Sequence, residues 1–202
     1  MKNKLFVIAG IAVGCTVVGG LVMSMRAGDR APDPDAPQYT AAGEMLRPQN
    51  YREWVYLTSG LGMTYGPIQS AARDMEPMFD NVFVSRAAYK SFMGSGRWPD
   101  KTMLILEVRS SESKGSINKG GHYQSDAMAV EAHVKDEARF PGKWAFFPFH
   151  KGNATAKVIP TTANCYSCHQ DHGAVDTTFV QFYPTLAGIA REKGTYKSSE
   201  TH

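Results

Sequence analysis

Cys165-Tyr166-Ser167-Cys168-His169 constrains this chain more than any other stretch of its 202 residues. Two thiols stand three positions apart, and an imidazole follows the second at once. In one tight turn both sulfurs can bond the vinyl-derived carbons on one edge of a porphyrin. The next side chain then lies beneath the ring, within reach of the iron. That spacing is the attachment pattern of c-type haem. From the chain's own Cys and His counts it arises by chance on the order of once in a thousand such sequences. A redox dithiol or half of a zinc site would use the same Cys pair. No second Cys pair follows, however, and no thioredoxin-like βαβ pattern surrounds the motif. The reading is one haem c per chain, with Cys165 and Cys168 as attachment points and His169 as the iron ligand.

The length suits one globular domain. Its 43% apolar and 20% charged residues exclude a disordered or collagen-like chain. The formal charge is +3, and Lys2 and Lys4 at the extreme N-terminus supply two of those positive charges. What remains gives no electrostatic footprint for nucleic acid. Leu5 to Met25 carries no charge and is flanked by Lys4 and Arg26. At about 1.5 Å per residue, a helix there crosses a hydrocarbon core of roughly 30 Å. Residues 1–26 therefore read as an uncleaved membrane anchor, with a cleaved signal segment as the alternative. Ala12-Val13-Gly14-Cys15 loosely resembles a lipoprotein processing site, but the apolar run continues past Cys15. Covalent haem attachment is completed outside the cytoplasm. The domain is accordingly expected on the periplasmic face, held by the anchor, or soluble in the periplasm if the segment is removed.

Residues 27–38 interleave Pro32, Pro34 and Pro37 with Asp29, Asp33 and Asp35, the composition of an extended, solvated tether. Residues 39–190 form the folded unit, and residues 191–202 a polar, fraying tail. Asn50–Tyr56 predicts a short helix, Asn81–Val84 a short strand, and Arg86–Phe92 a helix stopped at Gly94-Ser95-Gly96. Thr102–Ser110 is the clearest strand, with Leu104, Leu106 and Val108 on one face and Ile105, Glu107 and Arg109 on the other. Tyr123–Lys135 is a second long strand. It carries Met128, Val130 and Val134 on one face and Ala127, Ala129, Glu131 and His133 on the other. The small residues admit close approach by something flat, or by a neighbouring helix. Lys143–Phe149 reads as an aromatic strand that Pro148 places at an edge or end, and a helix follows Pro184. The sum is an α+β fold, predominantly an antiparallel sheet with a few flanking helices.

Several segments together resemble the cytochrome P460 family, which includes the cytochromes called c-prime-beta. They are Asn50-Tyr51-Arg52-Glu53-Trp54, Asn81-Val82-Phe83-Val84, Trp98-Pro99-Asp100-Lys101-Thr102, Gly142-Lys143-Trp144-Ala145-Phe146-Phe147, and the haem motif followed by Phe179-Val180-Gln181-Phe182-Tyr183-Pro184. The resemblance implies a largely antiparallel β fold, usually a homodimer, with one c-type haem. It also implies His169 as proximal ligand, five-coordinate resting iron and an open distal site. Hydroxylamine-oxidising members link a lysine covalently to the porphyrin from the strand after a Pro-Asp-Gly-Thr-like turn. Aligning that turn with Pro99–Thr102 puts the lysine position at Leu106, and no lysine lies between Thr102 and Ser113. This departure brings the chain closer to the apolar-pocket members that bind nitric oxide. Glu131 aligns with the family's distal carboxylate, a candidate catalytic proton acceptor; the alternative is an exposed strand residue pairing with Lys135 or Arg109.

Other residues attract smaller roles. Met63, Met75, Met78, Met103, Met128, His122 and His133 are conceivable sixth ligands, although such methionines are ordinarily core filling. His172 reads as a surface residue or a neighbour of the ligand. Arg86 reads as a solvated helix charge with the distal pocket as its alternative, and Phe79 and Phe83 as core aromatics or caps over the haem. Three functions compete. The first is a haem protein that binds or redox-processes a small nitrogen species such as nitric oxide. The second is an oxidoreductase acting on hydroxylamine, with Glu131 as proton acceptor. The third is a periplasmic electron carrier serving an electron-transfer protein, which needs a sixth ligand to seal the iron.

Overall fold

A computed structural model of the chain describes residues 33–65, 76–150 and 152–197. The proposed anchor, Cys15, the first part of the tether and Met75 lie outside the described residues. Among those described, no helix is long and apolar enough to cross a membrane.

Five strands form one antiparallel sheet whose spatial order is their sequence order: β2 (Val55–Leu61), β3 (Phe79–Val84), β4 (Met103–Glu112), β5 (Tyr123–Lys135) and β6 (Trp144–Phe149). β3, β4 and β6 are dense in branched or aromatic residues, which favours extended backbone. A two-stranded ladder pairs β1 (Met45–Leu46) with β7 (Thr155–Ala156). Helix α1 (Arg86–Ser95) connects β3 to β4 and ends at Gly96, whose φ of 67° supplies the left-handed cap. Helices α2 (Asn164–His172) and α3 (Pro184–Glu192) follow the sheet, α3 with Pro184 in its first turn. Pro148 sits on the edge strand β6, where a missing N–H is tolerated. The α+β expectation holds.

The sheet has a core on each face. On one, Val84, Leu104 and Trp144 pack with Phe92, Trp98, Val180 and Leu186 from the helical layer. On the other, Met103, Ile105, Val130, Ala132 and Phe147 pack with Met45, Tyr51 and Trp54. The Phe92 and Trp98 rings lie 4.3 Å apart and are almost wholly buried. Truncating either to alanine costs about 3–5 kcal/mol. The second face also buries Glu107, which accepts hydrogen bonds from Tyr51 and Arg52 and pairs with Arg109 at 3.0 Å. Desolvation pushes this carboxyl up, but those donors outweigh it and hold it below the ordinary range.

Four expectations need correction. Asn50–Tyr56 is not a helix: a single 3-10 turn spans Tyr51–Glu53, and Val55 already begins β2. Tyr51 and Trp54 are drawn into the core beneath the sheet, which ends the helical path. The tether is not solvated throughout. Asp35 is only 2% exposed and accepts from Arg86 Nε at 3.0 Å and Nη2 at 3.1 Å, with Asn50 donating at 3.3 Å. Arg86 is therefore an ion-pair partner of Asp35 and not a free helix charge. The tail packs through Lys197: Thr195 Oγ1 donates to the Gly96 carbonyl at 2.6 Å and Lys197 N to the Ala174 carbonyl at 2.7 Å. Tyr196, half-buried against the core with Arg191 over its ring, anchors this segment.

Candidate functional site

The Cys-x-x-Cys-His motif lies on α2 and not in an isolated turn. At i and i+3 on a helix, Cys165 and Cys168 share one side. Cys165 is exposed and Cys168 partly so, and neither is in a disulfide. Desolvation, then the nearby Cys165 and Asp171, pushes the Cys168 thiol above its ordinary value. Among the described residues no three His, Cys, Asp or Glu side chains cluster to hold a metal ion, so the zinc-site alternative finds no further ligands.

His169 Nδ1 donates to the Thr177 carbonyl at 2.8 Å. A carbonyl can only accept, so Nδ1 carries the proton and Nε2 keeps its lone pair, the tautomer that ligates a metal. Burial lowers the imidazole's proton affinity and the Thr177 bond only partly offsets it, which leaves the ring neutral near pH 7. Phe179, Phe146 and His133 surround it with ring centroids at 4.3, 4.6 and 4.8 Å.

The turn Val175–Thr178 that supplies this carbonyl is tied to the rest of the fold at several points. Trp98 Nε1 donates to Thr178 Oγ1 at 2.8 Å, and that hydroxyl donates to the Val175 carbonyl at 2.8 Å. Lys135 Nζ reaches Asp176 Oδ2 at 3.5 Å and donates to the Trp98 carbonyl at 2.8 Å. Gly173 caps α2 with its N–H on the His169 carbonyl at 3.0 Å. A Cβ at Gly173 would stand 2.6 Å from that oxygen and 2.8 Å from the Thr177 backbone, so only glycine lets helix and turn approach this closely. Gln181, inside the Phe-Val-Gln-Phe-Tyr-Pro segment, accepts from Ala174 N at 3.1 Å and donates to the His172 carbonyl at 2.7 Å.

The sheet register brings the other two candidates together. Leu106 pairs with Glu131, Leu104 with His133, and His133 with Phe146. Directly opposed residues share a face, so Leu106 and Glu131 stand side by side on the face that meets His169. Val82 lies opposite Leu106 and Asp80 opposite Val108, adding two more strand positions to that face. Glu131 is exposed, as its alternative reading expects, yet the protein around it still pushes its carboxyl up, only partly countered by His150. Desolvation, then the charge of Glu131, raises Asp80 to about 6. Tyr65 is exposed, but its phenol is pushed up as well, with Asp80, Glu131, Cys168 and Cys165 all acting in the same sense. The phenol, the two strand carboxylates and both motif thiols are thus close enough to influence one another electrostatically.

Several sequence candidates fall elsewhere. Among the described residues no cation ion-pairs with Glu131; Lys135 and Arg109, its suggested partners, engage Asp176 and Glu107. Met103 and Met128 lie on the opposite face by strand alternation, as do Phe79 and Phe83, and Phe83 packs against Tyr51 and Tyr56. Met63 and Met78 are exposed, and His122 bonds Glu76 at 3.1 Å. His172 is exposed at the end of α2. His133 is on the site face but packs against His169 itself, on the ligand's own side. Asp80, Thr177 and Gly173 carried no signal in the sequence, because each depends on a neighbour distant along the chain.

These residues fit a covalently held haem: two reachable thiols on one helical side, an imidazole with its coordinating lone pair set by a backbone acceptor, and an adjoining face with an alkyl group beside a carboxyl. The family model for Cytochrome P460 matches residues 48–180, a span that takes in β2 to β6, α2 and Thr177. No curated protein matches the chain.

Proposed function

The chain belongs to the cytochrome P460 family of c-type haem proteins, and from that premise we propose that it binds or redox-processes a small nitrogen species, nitric oxide first among them, on the Leu106–Glu131 side of the haem. Cys165 and Cys168 would hold the porphyrin and His169 Nε2 its iron. When bound, the haem would supply an iron that can take a small ligand and a store for single electrons.

The pairing of Leu106 with Glu131 carries this reading. Leu106 offers no amine for a third covalent link and no hydrogen bond to a bound diatomic, so its neighbourhood suits an uncharged, weakly polar ligand. The lysine on the same strand face, Lys135, is engaged by Trp98 and Asp176 near the ligand turn. Glu131 favours a second reading, oxidation of hydroxylamine. Its raised proton affinity suits a group that takes a proton from a substrate N–H or O–H near neutral pH. The electron-carrier reading is weaker, since among the described residues the methionines and histidines proposed to seal the iron lie elsewhere. The periplasmic location, the N-terminal anchor and the homodimer remain part of the proposal, supported by the uncharged run Leu5–Met25 and by family resemblance.

The optical spectrum of the purified holoprotein tests it. A high-spin resting state that takes up nitric oxide is the expected result. A low-spin, six-coordinate resting state would exclude both leading readings. Turnover with hydroxylamine and an electron acceptor would promote the second above the first.

A further inference from the structure

We propose that His133 is a positioning residue for the axial histidine: through the Thr177 hydroxyl it fixes the backbone carbonyl that orients His169. The proposal rests on the reading of His169 as the iron ligand.

Thr177 binds both imidazoles, one with each of its oxygens. Its carbonyl accepts from His169 Nδ1 at 2.8 Å, and its hydroxyl shares a hydrogen bond with His133 Nε2 at 3.3 Å. The His133 ring cannot drift. It is stacked on Phe146 at 4.1 Å with the planes 10° apart and lies 4.4 Å from Trp144. Its backbone is in β5, paired on both sides, with Leu104 and with Phe146. A turn carbonyl can swing about its peptide plane, whereas one whose own residue is tied to a sheet side chain is held. The chain of contacts therefore runs from the middle of the sheet, through one side chain, to the atom that sets the ligand's tautomer and ring angle.

Burial of a polar ring argues the same way. His133 is only 8% exposed and sits among aromatic rings, where phenylalanine would pack as well without the cost of desolvating an imidazole. What histidine adds is the bond to Thr177. A firm acceptor on Nδ1–H makes the ligating nitrogen more basic, and such outer partners of a ligand change its hold on the metal 10–100-fold.

The test uses the full-length holoprotein with His133→Phe, Thr177→Val, the double variant and Thr177→Ser. Expected are one haem per chain in each, and a lowered, broadened iron–histidine stretching band in the reduced His133→Phe and Thr177→Val proteins. The double variant should add nothing further, and Thr177→Ser should restore the band. The reduction potential should rise in the same variants, as a less basic ligand stabilises ferric iron less relative to ferrous. An unmoved band in Thr177→Val overturns the proposal, including where His133→Phe alone shifts it, for that pattern means packing and not the hydrogen bond. If His133→Phe does not fold, Thr177→Val against Thr177→Ser decides alone. Absence of any iron–histidine band in the unaltered protein would instead sink the assignment of His169.

Discussion

Leu106 and Glu131 face each other across β4 and β5, an alkyl chain and a carboxyl in directly opposed register. Neighbours so placed have Cβ atoms about 4.5–5.5 Å apart. Whatever lies against this face at that point meets both together.

Haem should be attached through two thioether bonds only. Digestion and mass analysis of the holoprotein should place it on the peptide bearing Cys165 and Cys168, with the β4 peptide unmodified. A haem-bearing peptide that includes Met103–Glu112 would refute this.

Glu131→Gln keeps the size and removes the proton acceptor. Affinity for nitric oxide should change by less than about threefold, since the ligand is uncharged. Oxidation of hydroxylamine, if present, should slow about 10²–10⁴-fold, the usual worth of a positioned acid–base group. An unaltered oxidation rate in steady-state assays would remove Glu131 from the chemistry.

Gly173→Ala adds one methyl group against the His169 carbonyl and the Thr177 backbone. Helix and turn must separate, at about 1–3 kcal/mol for a forced overpacking. A lower melting temperature and reduced haem incorporation are expected, read by calorimetry and by haem-to-protein ratio. Gly188→Ala, with open space at its Cβ, is the control.

Two carboxylates should tilt stability in opposite directions with pH. Asp80 binds its proton more tightly folded than unfolded, so its contribution is present in acid and is lost as pH rises from about 3.8 through about 6. Glu107 holds its proton less tightly folded than unfolded. Its contribution is present above the ordinary value of 4.5 and is lost as pH falls through its depressed folded value. Denaturant melts of Asp80→Asn should therefore lose the decline between pH 4 and 6 while keeping the acid limb. A curve unchanged from the parent in that interval would contradict the assignment.

The parts legible in the sequence were those set by local pattern. Tyr123–Lys135 is a strand over the residues its alternation marks, and Leu106 and Glu131 lie on the faces expected of them. Their side-by-side placement needed the register, which the loop between β4 and β5 and two irregularities near Arg109 adjust. Asn50–Tyr56 misled because its window is short and Tyr51 and Trp54 are claimed by the core. Thr177 has no signature of its own. Its role exists only because α2 returns over β5, and His133 looks like any strand histidine until that return is known.

The sheet is a simple meander in which every strand pairs with the one made just before it. Contacts local along the chain form quickly. The segment that bears both thiols and the ligand turn comes after all five strands, so a prepared floor awaits the pigment-bearing piece. With Cys165 exposed and Cys168 partly so, both thiols can still be reached once that sheet has formed.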